Sequence, residues 1–284
     1  MIALADLFVH AYVLIDDALL SGAVPVPPRP GPIPACSDAE VLSIAVVRHL
    51  LGRPSERAFL AEVRADWSHY FPHLPRQSEF NRRVRWLWGA CELLRQHIMR
   101  SWPEDGWQQI DTTALPVKHP SRVRGLDQWD GPADLRAGFG WDGAHHEWFY
   151  GFRLALRTEL GSRLVRAWSL VPAAVNERRV ADALLTEAAT GLLLDRGFAG
   201  REWVGQHRAH GLRVLLTPSA AERRTVARAV RRPIARLRNR IETTTGELTD
   251  RLALARHGAK SFWGLVTRTA ATILAHTLRL LKVV

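Results

Sequence analysis

The sequence predicts an α/β fold, a mixed sheet flanked by helices, preceded by an all-helical amino-terminal region. Three observations carry that prediction. Apolar residues recur at helical spacing up to about residue 104, strand-like runs alternate with helical stretches after it, and one run, Leu192 to Leu194, is apolar without interruption. A fully apolar strand belongs in a sheet covered on both faces. The domain boundaries read from this pattern are 1–104 for the helical region, with a proline-rich spacer over 24–34, and 105–284 for the sheet domain.

Taken in order, Ile2 to Leu20 reads as a buried helix. It lacks the basic start and small-residue cleavage site of a signal peptide and carries Asp6, Asp16 and Asp17. Six prolines between Pro25 and Pro34 then make a stiff extended spacer, because proline fixes φ and cannot donate to a helix ladder. Ser37 and Glu40 form a capping-box pattern that opens the next helix. Ser78 is placed to cap one long helix through Phe80, Val84, Leu87, Cys91, Leu94 and Ile98. Its first turns, with Arg82 and Arg83, suit insertion into a DNA groove, although a helical bundle with a solvated basic face explains the same pattern.

From residue 105 the period changes. Trp107 to Asp111 is the first expected strand, and Trp148 to Leu156 with Leu164 to Leu170 form a hairpin around the turn at Glu159 to Ser162. Asn176 caps a helix, Leu192 to Leu194 is the apolar strand, a helix over about 200–210 ends at Gly211, and Leu212 to Thr217 is the last strand. Pro233 is expected as the first residue of a helix carrying Glu242, and Gly246 interrupts that helix.

At 284 residues and 31.9 kDa, with 47% hydrophobic residues, the chain is long enough for one large core or two modest ones. Cys36 and Cys91 have no metal-ligand spacing, which points to a reducing, cytoplasmic setting. Charged residues interrupt the apolar carboxy-terminal stretch, so neither end is expected to anchor in a membrane. The net charge of +11 is unevenly spread: residues 201–284 hold 17 of the 39 Lys and Arg but only 5 of the 28 Asp and Glu. Such a basic flank suits a polyanion, whose condensed counterions it would release.

Against that flank stand three carboxylates, Asp111, Asp195 and Glu242, separated by 84 and 47 residues. Asp111 and Asp195 are expected at strand ends, where sites in α/β sheets gather, and Glu242 on a helix at a buried edge. Carboxylates held close repel unless a cation lies between them, and hard oxygen ligands favour Mg2+, with Mn2+ as substitute. Two ions a few ångströms apart would clamp the attacking and leaving oxygens of a phosphodiester. Each residue also has an ordinary reading: Asp111 as a turn former, and Glu242 as the partner of Arg238 four residues earlier in a surface ion pair. Gly197 permits a tight turn that presents Asp195. Adjacent His145 and His146 would point to opposite faces of a strand and do not make a shared metal site, while nothing selects Asp142 or Glu177 over a turn and a first-turn helix acid.

These residues resemble the DDE transposases of bacterial insertion sequences. Asp111-Thr112-Thr113, Asp195-Arg196-Gly197-Phe198 and Arg238 with Glu242 match the family's acidic triad and its helix. Phe80-Asn81-Arg82-Arg83, Phe149-Tyr150-Gly151-Phe152 and Ala174-Val175-Asn176-Glu177 are similar to a subfamily with a helical amino-terminal region. The resemblance implies a ribonuclease H-like catalytic domain behind a DNA-binding or dimerisation region. It further implies Asp111, Asp195 and Glu242 as catalytic residues holding two Mg2+ ions, nicking at terminal inverted repeats, strand transfer into target DNA, and a homodimer or larger assembly. DNA contacts are expected from Arg82, Arg83, Arg196, Arg231, Arg232, Arg238, Arg240 and Arg251. Ala235 and Thr249 stand where many relatives have Tyr and Lys, and Arg251 is the candidate to replace that Lys. A metal-dependent nuclease on the same scaffold, or an inactive DNA-binding remnant, are the alternatives.

Overall fold

The computed structural model describes residues 4–125, 129–132, 135–143, 145–186, 188–198, 200–218, 222–225 and 227–283, the side chains of 223, 230 and 231 excepted. Helices α1 (Leu4–Leu20), α2 (Asp38–Leu50), α3 (Glu56–Asp66), α4 (Gln77–Trp86) and α5 (Trp88–Met99) come first. Strands β1 (Trp107–Lys118), β2 (Gly138–Asp142), β3 (Glu147–Glu159) and β4 (Val165–Pro172) follow, then α6 (Glu177–Leu184), β5 (Gly191–Leu194), α7 (Arg201–Ala209) and β6 (Arg213–Leu216). Helices α8 (Glu222–Thr225), α9 (Arg228–Gly246) and α10 (Phe262–Leu281) complete the chain.

The chain folds as two compact units, Met1–Pro103 with Glu247–Val284, and Glu104–Gly246. Residues 247–284, assigned above to the sheet domain, pack with the amino-terminal helices. The reason is burial. Fourteen of the 20 residues of α10 are buried, and α2, α4 and α5 pack against it. No described helix is long and apolar enough to cross a membrane.

In the helical unit the capping box at Ser37 forms as expected, with the Glu40 N–H donating to Ser37 Oγ at 3.1 Å. The single long helix expected after Ser78 instead breaks at Leu87, whose φ of −91° and ψ of 8° end α4 and begin α5. Leu87 stays 1% exposed, so the break keeps the apolar stripe buried while α4 meets α2 and α5 meets α10. Arg48 and His49 of α2 are buried beside Thr272 of α10. Arg48 donates to His49 Nε2 (2.8 Å), and the other ring nitrogen lies 3.0 Å from Thr272 Oγ1.

In the second unit six strands form one mixed sheet in the order β2-β3-β1-β5-β6, with β4 also on β3. β1 is antiparallel to β3 and parallel to β5, and β5 is parallel to β6. This is the ribonuclease H-like arrangement, a mixed sheet flanked by helices. Ile110, Ala155, Leu192, Leu194 and Val214 meet Val180, Leu184, Phe198, Trp203 and Val204 in its core.

Three strand and helix expectations need correction. β1 continues seven residues past Asp111, because the long strand β3 pairs with it as far as Lys118. β2 was not foreseen: Gly138-Phe139-Gly140-Trp141-Asp142 has two glycines and no β-branched residue, and its pairing with β3 supplies the strand geometry. Pro233 lies inside α9 rather than at its first position. The helix begins five residues earlier and tolerates a proline that removes one ladder bond.

Candidate active site

Asp111 is interior to β1, not at its end, yet it stands where the neighbouring strand stops. Gln109 pairs with Leu193 in the parallel β1/β5 ladder, so two residues on, Asp111 is level with Asp195, just beyond β5. Glu242 reaches the same region from α9. Gln109 holds that helix to the sheet, its amide donating to the carbonyl of Leu237 at 3.0 Å from a side chain only 1% exposed.

Arg238 joins two of the acids. Its guanidinium lies 3.1 Å from Asp195 Oδ2 and 3.0 Å from Glu242 Oε1. Asp195 Oδ1 meanwhile accepts from Thr217 Oγ1 (2.8 Å) at the end of β6 and from the Arg196 N–H (2.7 Å). Both carboxylates are about half exposed, so Glu242 is more open to solvent than the buried edge expected for it. The helix stripe explains the difference: Ile241 is buried, whereas Leu237 is 36% exposed and does not extend the apolar face over the acid.

Asp111 has the perturbed chemistry. Loss of solvation, with the Glu177 and Asp195 carboxylates adding to it, raises its pKa to about 7, against the opposing Thr112 N–H and Arg238. A carboxylate whose charge is disfavoured by burial first, and by neighbouring acids second, gains from a cation.

Glu177, which nothing in the residue pattern selected, lies beside Asp111. Thr112 Oγ1 donates to its Oε1 at 2.7 Å, Arg153 lies 3.7 Å away, and a Cβ on Gly197 would stand 3.0 Å from its Oε2. Gly197 does not have the positive φ that would make a glycine necessary for the turn, and its lack of a side chain instead makes room for a fourth carboxylate. Gln109, Thr112, Arg153 and Thr217 were also missed. The usable signal was the pair Gln108 and Gln109 in an apolar strand, since buried amides need partners.

The donor set fits a hard divalent cation: Asp111, Asp195 and Glu242 offer oxygen alone, and Asp111 is the raised acid that a cation would relieve. Among the described residues no three acidic, histidine or cysteine side chains lie close enough together to hold a metal ion, so Asp111, Asp195 and Glu242 are not brought into one ligand set. Arg238 occupies the gap between two of them.

A sequence model of the family described as Transposase DDE domain matches residues 108–278, more than half of the chain. The chain belongs to the DDE transposases of insertion sequences. Comparison with curated proteins gave no match. The matched segment of this DDE transposase begins in β1 and ends within α10, so the family's pattern runs through both compact units. Transposition enzymes of this kind cleave and join DNA, which makes DNA the substrate.

The arginines expected to contact DNA fall into different situations. Arg82 and Arg232 are exposed. Arg83 is 5% exposed and paired with Asp38 at 2.7 Å, and so presents no cation to a groove. The expectation for it fails because its partner, 45 positions away, was invisible to helix periodicity. Arg196 pairs with Glu222, Arg240 donates to the Gly161 carbonyl, and Arg238 bridges the two acids. The side chain of Arg231 lies outside the described residues. Arg251 is exposed but belongs to the π-helical turn Glu247–Arg251 of the helical unit, past the end of α9. His145 pairs with Asp142 at 2.8 Å, and Cys36 and Cys91 are both free and buried.

Proposed function

We propose that the chain is a metal-dependent insertion-sequence transposase that nicks DNA at the terminal inverted repeats of its element and transfers the freed 3′-hydroxyl into target DNA. The observation that carries this reading is the level placement of Asp111 and Asp195 across β1 and β5, with Arg238 linking Asp195 to Glu242 from α9. Asp111, Asp195 and Glu242 would hold two Mg2+ ions, or Mn2+. Bound there, such ions polarise the scissile phosphate and lower the pKa of water.

The protein's own groups do the rest. Gln109 fixes α9, and therefore Glu242, against β1. Thr217 and the Arg196 N–H set the Asp195 carboxylate, leaving its second oxygen toward Arg238. Arg238 carries positive charge at the point where a phosphate must approach, and trading its two carboxylates for phosphate oxygens costs little, because exposed ion pairs are worth about 0.2–1 kcal/mol. Water attacks phosphorus and the bond to the 3′-oxygen breaks, giving the hydroxyl that then attacks a target phosphodiester in the same manner. Arg196, Arg232 and Arg240 of the sheet unit, and Arg82 of the helical unit, would serve as phosphate contacts, and the helical unit as the DNA-binding or dimerising part of a homodimer or larger assembly in the cytoplasm. Cutting one element requires both of its ends, which is what an assembly of copies brings together.

The test is Asp195→Ala. Nicking of end-containing DNA should be lost while binding stays largely intact, and retained cleavage would remove the mechanism. Cleavage that never joins to a target would leave a nuclease in its place.

A further inference from the structure

We propose that the aromatic hairpin of β2 and β3 is a stacking site for an unpaired nucleobase of the DNA strand held at the carboxylates, an inference that rests on the DNA-processing reading above. Phe139, Trp141 and Trp148 are 47%, 44% and 62% exposed. Phe139 pairs with Tyr150 and Trp141 with Trp148 across the ladder, so register puts the four rings on one face. Their centroids are 5.1 Å apart in the first pair and 5.7 Å in the second.

Packing does not account for that exposure. The alternate positions anchor the hairpin: Phe149 is 3% exposed, and a Cβ on Gly140 would come within 2.8 Å of Ala173. The rings are therefore presented from a fixed support rather than buried by it. Arg153 completes that support, donating to the carbonyls of Trp141 (2.8 Å) and Ala173 (3.0 Å) while lying 3.7 Å from Glu177. Glu177 in turn accepts from Thr112, the neighbour of Asp111. Three linked side chains, Arg153, Glu177 and Thr112, thus tie the platform to the strand position next to Asp111.

A cavity of about 480 Å³ runs from the rings to Glu177, lined by Trp141, Trp148, Arg153, Glu177, Arg178 and Gly197 among others. Its chemistry selects the occupant. An apolar protein surface would cover the rings but leave the Arg178 guanidinium without an acceptor, whereas a nucleotide offers a flat π-face, polar base edges and a phosphate in one unit. Arg178 Nε is buried without a hydrogen-bond partner among the described residues. A base paired inside a duplex has no free face, so the site fits one that is unpaired, as at a nicked or melted end. Stacking tolerates every base and would hold the strand without reading its sequence.

The experiment uses the full chain in EDTA with two labelled DNAs of one sequence, a paired duplex and a duplex whose unpaired overhang carries 2-aminopurine. The wild-type protein should prefer the overhang and quench its fluorescence. Trp141→Ala with Trp148→Ala should weaken overhang binding roughly 5- to 150-fold, the equivalent of about 1–3 kcal/mol, and abolish quenching, with the paired duplex little changed. Trp148→Phe should keep most of the preference. Equal losses on both DNAs, or no loss on either, overturn the proposal, as does a fall in assembly mass on sedimentation, which would assign the rings to a contact between copies. Affinity and quenching are read without cleavage, so a failure here is distinct from the failure of Asp195→Ala to stop nicking.

Discussion

The Arg238 guanidinium lies 3.1 Å from Asp195 and, one helical turn along α9, 3.0 Å from Glu242, standing where two of the three acids would otherwise face each other unscreened. It neutralises the repulsion between carboxylates that come from a strand end and a helix. A divalent cation answers the same repulsion, so the two compete. Arg238→Gln should therefore bind Mn2+ more tightly in calorimetry, by up to about fivefold given the 0.2–1 kcal/mol of an exposed pair, while nicking falls because phosphate loses a cation. Unchanged or weaker Mn2+ binding would show that the arginine is no competitor.

Asp111 gives a pH-dependent stability with a definite sign. Its pKa is raised in the folded, metal-free protein to about 7, so the contribution is fully present below the unfolded value and is lost as pH rises toward 7. At pH 8 the folded state carries a crowded charge that the unfolded chain solvates freely. Asp111→Asn should stabilise the metal-free protein at pH 8 by on the order of 1–4 kcal/mol and have little effect at pH 4, measured by urea denaturation in EDTA. Equal effects at both pH values would remove the account of Asp111 as an acid raised by burial.

Much of this site was legible because carboxylates at Asp111 and Asp195 interrupt or end apolar runs, and because Arg238 and Glu242 share a helix face at four-residue spacing. What was not legible depends on partners distant in the chain. Glu177 is an ordinary first-turn acid until Thr112, 65 positions earlier, donates to it. Arg83 is a plausible groove contact until Asp38 is seen to bury it. The break at Leu87 and the capture of α10 by the amino-terminal helices have the same origin: periodicity reports which face is buried, not what it is buried against. The β2 hairpin escaped for another reason, since its glycines and exposed aromatics carry no alternation of apolar and polar residues.

The basic flank makes a measurable prediction about salt. Arg232 of α9 is exposed, and if it neutralises one phosphate its loss should reduce the slope of log binding constant against log salt by about 1. Arg83→Ala is the control. Because Arg83 is buried against Asp38, it should leave the slope unchanged while lowering stability. A smaller slope for Arg83→Ala than for Arg232→Ala would reverse the assignment.

The last prediction concerns the helical unit. His49 is enclosed by α2 and α10, and burial, with Arg48 and Arg268 nearby, holds its pKa well below the usual imidazole value. Glu56 is the nearby acid, paired with Arg268 at 3.9 Å and hydrogen-bonded by Asn81, so the charge around the ring remains predominantly positive. Arg48 donates to Nε2, which leaves the Nδ1 proton for Thr272 Oγ1, whose hydroxyl donates in turn to the Arg268 carbonyl at 2.7 Å. A backbone hydrogen bond with Leu252 favours the charged ring, but burial and the two arginines outweigh it, so the folded state resists a second ring proton that the unfolded chain takes up near pH 6.5. With more protons bound by the unfolded state, stability must fall as pH drops through that value, by up to about 1.4 kcal/mol per pH unit. His49→Gln loses hydrogen bonds and should be less stable than wild type at pH 8, but its deficit should shrink between pH 7 and pH 5. A deficit that stays constant over that range would mean that His49 accepts the proton in place, and the closed hydrogen-bond chain from Arg48 to Arg268 would have to open to let it.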